Sequence, residues 1–241
     1  MTCDNTGPAL LASSLLTPAS GAYLSGGISY VITWNTGFYA SESSPSSTPI
    51  SIDYATASGA SWTNLATSIA NGGSFTWTVP AVNLPSAQIR LTATDKLGNT
   101  TSVIKSFTID STNPAVAADT ITSPNGGGYF KGSTGTGIAI SWNPAKLSDT
   151  NLSPTPITLE YSTNGTLWNT IASNLANSGS YLWSSLPALN AATVRIRLTA
   201  TDLVGKTGTD TSDADFTIDS TLPTITINTP PTPPNNAFIS A

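Results

Sequence analysis

Histidine is absent from this 241-residue chain, and cysteine and methionine occur once each. Without histidine, Ser-His-Asp and Cys-His constellations cannot form, and zinc sites built from His and Cys are excluded with them. A single cysteine, Cys3, closes no intramolecular disulfide. Charge is scarce too: 9% of residues are charged, 8 basic against 13 acidic, for a net charge of −5. The basic residues are scattered, so no stripe could replace counterions on nucleic-acid phosphates. No apolar run approaches the ~20 residues that cross a bilayer as a helix. The longest, PALLASSLL at Pro8–Leu16, is too short and has no basic region before it, so it does not read as a secretion signal.

What the chain does have is strand chemistry. Val, Ile, Thr, Tyr and Trp abound, and with this many aromatic and β-branched residues the composition is not that of a disordered segment. The run RLTATD spans Arg90–Asp95 and returns unchanged at Arg197–Asp202. Aligning the two exposes a repeat over nearly the whole chain. Ile32-Thr33-Trp34 returns as Ile140-Ser141-Trp142, PISIDY as PITLEY, Trp62 as Trp168, and Trp77 as Trp183. Each copy closes on FTIDST, at Phe107–Thr112 and Phe216–Thr221. CDNTGP at Cys3–Pro8 matches IDSTNP at Ile109–Pro114, so the chain reads as opening on the tail of an earlier copy. Its last residues read as the start of a further one.

Within a copy, apolar residues alternate. Ala87, Ile89, Leu91 and Ala93 point one way, and Val194, Ile196, Leu198 and Ala200 repeat the pattern. Ile28, Tyr30, Ile32 and Trp34 are expected to share a face in the same manner. Such strands bury one face and wet the other, as antiparallel sheets do. About seven short strands in roughly 100 residues is the pattern of a two-sheet sandwich. The expected division is 1–14 as the tail of a preceding repeat and linker, 15–112 and 113–222 as two sandwiches, and 223–241 as a third start or an orphan strand. Asn113-Pro114 and Leu222-Pro223 leave short, stiff, Pro-bearing linkers.

The run G-x-Y-x-x-G, ITW, PI-x-x-x-YST, W-x-x-IA, NSGSYLW, RIRLTATDLVG and FTID resembles the bacterial Ig-like domains found in tandem on large secreted and surface proteins. The resemblance covers Thr17–Thr112 and Ser123–Thr221 and is stronger in the second copy. It implies an all-β fold of two tandem Ig-like or fibronectin III-like antiparallel sandwiches. It also implies extracellular or cell-surface display, adjacent repeats of the same protein as partners, and a role as stalk, spacer or adhesive module. It brings no catalytic residues.

Chemistry therefore has few candidates. A paired-carboxylate glycosidase stays formally open, but the carboxylates fall mostly at strand ends and turns, where Asp serves the local backbone, and no enzyme is expected. Calcium wants oxygen ligands, and Asp210, Asp213 and Asp215 cluster in TDTSDAD; the other reading is a plain turn before a strand, since the first copy has TTSVIKSF there. Asp110 and Asp219 recur at the repeat junctions, where a cation would stiffen an array. The most divergent loop, Asn35–Thr48, holds adjacent aromatics, Phe38 and Tyr39. They could stack on a glycan or anchor a receptor, or plug the open end of the sandwich. A third reading is assembly: the apolar AFIS near the C-terminus could complete a neighbour's sheet edge and build a homo-oligomer or fibre.

Overall fold

The computed structural model describes residues 4–40, 42–132 and 137–226. In the first copy the strands are β1 (Leu15–Thr17), β2 (Tyr23–Ser25), β3 (Ser29–Trp34), β4 (Ile50–Ala55), β5 (Thr63–Ile69), β6 (Ser74–Thr78), β7 (Leu84–Thr94) and β8 (Thr100–Asp110). They form a three-stranded sheet ordered β1-β3-β6 and a five-stranded sheet ordered β2-β8-β7-β4-β5. One core draws on both sheets: Leu15, Ile32, Trp34 and Trp77 from the first, Ile52, Leu91 and Phe107 from the second. Two sheets closing on one core make the fold a β-sandwich, as the alternation of apolar residues predicts.

The second copy repeats the plan. After the two-residue β9 (Ala115–Val116) come β10 (Ile121–Ser123), β11 (Tyr129–Lys131), β12 (Ile138–Trp142), β13 (Leu147–Ser148) and β14 (Leu152–Ser162). These are followed by β15 (Asn169–Leu175), β16 (Ser180–Trp183), β17 (Asn190–Asp202), β18 (Thr207–Thr211) and β19 (Phe216–Asp219). The sheets are β10-β12-β16 and β11-β19-β17-β14-β15, with β18 paired to β17 and β9 paired to β13. Its core holds Trp142, Leu159, Trp183, Ile196, Leu198 and Phe216.

The centre of each copy is the RLTATD strand. In β7, Ala87, Ile89, Leu91 and Ala93 are all fully buried, and in β17 so are Val194, Ile196, Leu198 and Ala200. The period-two prediction holds there residue by residue. It holds less well in β3, where Ile32 and Trp34 are buried but Ile28 is 51% exposed. Ile28 lies just before the strand, at the Gly26-Gly27 turn, where the pleat has not yet begun.

More than seven strands appear because the chain changes sheets. β1 pairs antiparallel with β3, then Pro18 intervenes, and β2 joins the other sheet in parallel with β8. Proline carries no N–H, so a ladder ends where it enters. Pro124 separates β10 from β11 in the same manner. A second repeated device lies in the edge strands. Ser68 in β5 and Asn174 in β15 adopt positive φ, 53° and 55°, and the register shifts beside each. Each is a bulge carrying one extra residue, which bends an edge away from intermolecular pairing.

The copies differ at the last hairpin. β8 runs unbroken over 11 residues, whereas its counterpart is split into β18 and β19 at Ser212–Asp215. That split holds Asp213 and Asp215 of TDTSDAD, and Asp210 lies in β18 just before it. Cys3 and the AFIS segment lie outside the described residues. No helix among the described residues is long and apolar enough to cross a membrane.

Candidate functional site

Phe38 and Tyr39 sit in a 3-10 turn, Thr36–Tyr39, capped by the Asn35 side chain. Both rings are half-buried. Phe38 packs against the first core and meets Tyr39 edge-on at 5.9 Å. The Tyr39 hydroxyl donates to the Thr94 carbonyl at 2.9 Å and accepts from the Ser46 N–H at 2.7 Å. These bonds tie the loop to the end of β7.

Asp210, Asp213 and Asp215 go to three separate partners. Asp210 is buried, and its Oδ2 accepts from the Ile121 N–H at 2.7 Å, joining β18 to β10. Burial pushes its carboxyl above the ordinary value, against the Ile121 and Thr211 hydrogen bonds that favour the charge. Asp213 exchanges two bonds with Asn125, each 2.7 Å. Asp215 accepts from Arg195 Nε at 2.6 Å. Such bonds are what a chain needs where a long strand is interrupted and its backbone groups lose the ladder.

Carboxylates do converge elsewhere, twice. One oxygen each from Asp110, Asp149 and Asp202 lie within 4.8 Å of one another, and so do oxygens from Asp4, Glu42 and Asp95. The two clusters are the same place in successive copies, because each acid is 106 or 107 residues from its counterpart. Asp110 ends β8, Asp149 lies between β13 and β14, and Asp202 is the aspartate of RLTATD at the end of β17. The signal was in the sequence: these are acids that recur in register at the repeat period. Asp110 is legible as a junction residue, but nothing in a linear reading brings Asp149 and Asp202 to it.

The hydrogen bonds define this cluster. Asp110 is 1% exposed; its Oδ1 accepts from the Thr112 N–H and hydroxyl, and its Oδ2 from Asn151 Nδ2 at 2.8 Å. Burial alone would raise its carboxyl. The bonds from Asn151 and Thr112, with the charge of Lys206, outweigh that and hold it below the ordinary value. Asp149 moves the other way, raised by burial and by the Asp110 and Asp202 charges. Asp202 is 4% exposed, and its Oδ1 accepts from the Val204 and Lys206 N–H groups at 2.9 and 2.8 Å. Its Oδ2 is buried with no hydrogen-bond donor. A buried carboxylate oxygen without a donor is costly, and an oxygen-only set of three acids suits a hard cation of the calcium class, which takes about six to eight oxygens.

A different constellation recurs on the opposite side of the RLTATD strand. The guanidinium of Arg90 lies 4.4 Å above the Trp62 ring and pairs with Asp53 at 2.9 Å. Arg197 lies 4.3 Å above Trp168 and pairs with Glu160 at 2.7 Å. Each is a three-layer latch across neighbouring strands, stacked and ion-paired at once.

No family model matches the chain, and no curated protein matches it. Several solved structures are similar to the chain, each at a TM-score below 0.5. The chicken CNTN1 FN1-FN3 domains match with a TM-score of 0.48 and 13% identity over 91% of this chain and 68% of that one. A bacterial ice-binding adhesin of 1.5 MDa, described for its host cell surface retention, matches at 0.34 and 18% over 83% of this chain and 61% of the other. A tetra-tandem repeat from the extending region of a large adhesion protein matches at 0.30 and 15%, over 84% of this chain and half of that one, 50%.

Proposed function

We propose that this chain is a non-catalytic spacer from an extracellular adhesin-like protein, with sandwiches at 15–112 and 113–222 joined through a cation-binding junction. The observation that carries the reading is Asp110. It is the last residue of the first copy's last strand, yet it is buried against second-copy residues and held by Asn151. A flexible string of beads would leave that carboxylate in water. The linker is equally committed: a Cβ on Gly208 would collide with the Pro114 carbonyl oxygen, so the chain after Asp110 presses directly on β18. Phe38 packs on the first core and the Tyr39 hydroxyl bonds Thr94 and Ser46, contacts that suit an anchored loop in a spacer.

In this role Asp110, Asp149 and Asp202 hold the ion, and Asn151 and Thr112 orient Asp110. The ion supplies the positive charge that allows three acids to be packed together. The same fold without it must bear their mutual repulsion. The test is thermal unfolding of the whole chain in calcium chloride and in a chelator. Calcium at about 100 times its dissociation constant stabilises by about 2.7 kcal/mol, and the effect should vanish in Asp110→Asn. Identical unfolding curves with and without calcium would remove the cation from this account.

A further inference from the structure

The two acidic clusters occupy equivalent places, but their free oxygens differ. In the first, Asp95 Oδ1 accepts from the Leu97 and Asn99 N–H groups, each at 2.8 Å, as Asp202 Oδ1 does from its own turn. Asp95 Oδ2, however, accepts from the Asn99 side-chain amide at 2.8 Å, and that amide also reaches the Asp4 carbonyl at 3.3 Å. Asp4 is filled too. Its Oδ1 accepts from Thr6, and its Oδ2 accepts from the Ser43 hydroxyl at 2.6 Å. These bonds from Ser43 and Thr6 hold the Asp4 carboxyl down at about 2. Asn99 thus stands between the acids with a donor for each side.

In the second copy the residue at that position is Lys206. Its backbone N–H still serves Asp202 Oδ1, but its side chain makes none of the four ion pairs among the described residues. The Asp202 Oδ2 that an amide would have capped is left buried without a donor. Three carboxylates beside one lysine leave two negative charges, the complement of a divalent ion.

Resting on the cation reading above, we infer that the residue at position 99 or 206 decides what closes each junction: Asn99 closes the first with an amide, and Lys206 leaves the second open for a divalent cation of the calcium class. The chain then binds one such ion, not two. Charge alone argues for the first cluster, which has three acids and no lysine at this position. Vacant acceptors argue for the second. An ion entering the first cluster meets donors on both Asp95 Oδ2 and Asp4 Oδ2, from Asn99 and Ser43, whereas in the second Asn151 caps Asp110 Oδ2 but Asp202 Oδ2 already lacks a donor.

Counting calcium bound per full-length chain, by equilibrium dialysis with the radioactive ion, separates the possibilities. The expected count is one, lost in Asp202→Asn and retained in Asp95→Asn. Lys206→Asn, which transplants the amide, should weaken binding at least tenfold, and Asn99→Lys should raise the count to two. Circular dichroism of each variant checks that it folds, and Lys206→Asn changes only a half-buried side chain in a turn. A count of zero in the unaltered chain fails the cation reading itself. A count of two, or one ion lost with Asp95→Asn in place of Asp202→Asn, overturns the amide-for-ion inference while leaving the cation reading standing.

Discussion

Replacing Leu198 by alanine asks whether the two cores stand or fall separately. Leu198 lies at the middle of β17 with no exposure, paired with Leu159 of β14 on one side and with Asp210 of β18 on the other. Its surroundings are strands held by ladders on both flanks, so the space left by three missing carbons cannot close by a local shift. Leu→Ala at such a site costs about 2–5 kcal/mol. For a unit of about 100 residues each kcal/mol lowers the midpoint by about 4–8 °C, so about 3 kcal/mol gives a shift on the order of 10–25 °C. Leu91 occupies the same place in β7, also unexposed, and its replacement should cost a similar amount. Scanning calorimetry in chelator, which removes any ion at the junction, should therefore resolve two transitions. Leu198→Ala should move one of them and Leu91→Ala the other. A single transition displaced equally by either variant would refute the division into two independently cooperative units.

Arg197→Ala removes both the Trp168 stack and the Glu160 pair. The side chains are partly exposed, so the loss should be about 1–2 kcal/mol in urea unfolding. Arg197→Lys should recover little of it, because an ammonium cannot lie flat on the indole while pairing sideways. Asp210 sets a pH dependence: its folded-state carboxyl is raised by burial, so the fold binds that proton more readily than the unfolded chain does. Stability from this group is fully present below the ordinary carboxylate value of about 3.9 and is lost as pH rises through the raised value. Urea midpoints from pH 7 downward should first rise, and Asp210→Asn should flatten that rise; an unchanged slope in the variant would sink the assignment.

Most of the architecture is legible from alternation and repetition. The buried faces of β7 and β17 follow from counting every second residue, because a strand with one wet face must alternate. What alternation misses is where a strand begins, as at Ile28, and where the chain leaves one sheet for another, as at Pro18. The site is less legible. TDTSDAD looks like a ligand set because its acids are close in sequence, but the chain leaves β18 there, and Asp210, Asp213 and Asp215 each bind a different group: the Ile121 N–H, Asn125 and Arg195. Asp110, Asp149 and Asp202 are brought together from separate strand ends. Such a set shows only as acids that keep the period of the repeat.

The junction is built half from each side. One copy ends on an aspartate turned by the threonine two residues on, Asp4 with Thr6, Asp110 with Thr112, Asp219 with Thr221. For Asp4 and Asp110 the copy that follows supplies the two acids and the amide or ammonium beside them. Both halves are encoded within each of the two periods, so a change of length by whole periods would restore a complete joint each time. Length can then change in steps of one period without any single joint being reinvented, and RLTATD, identical in both copies, marks the step.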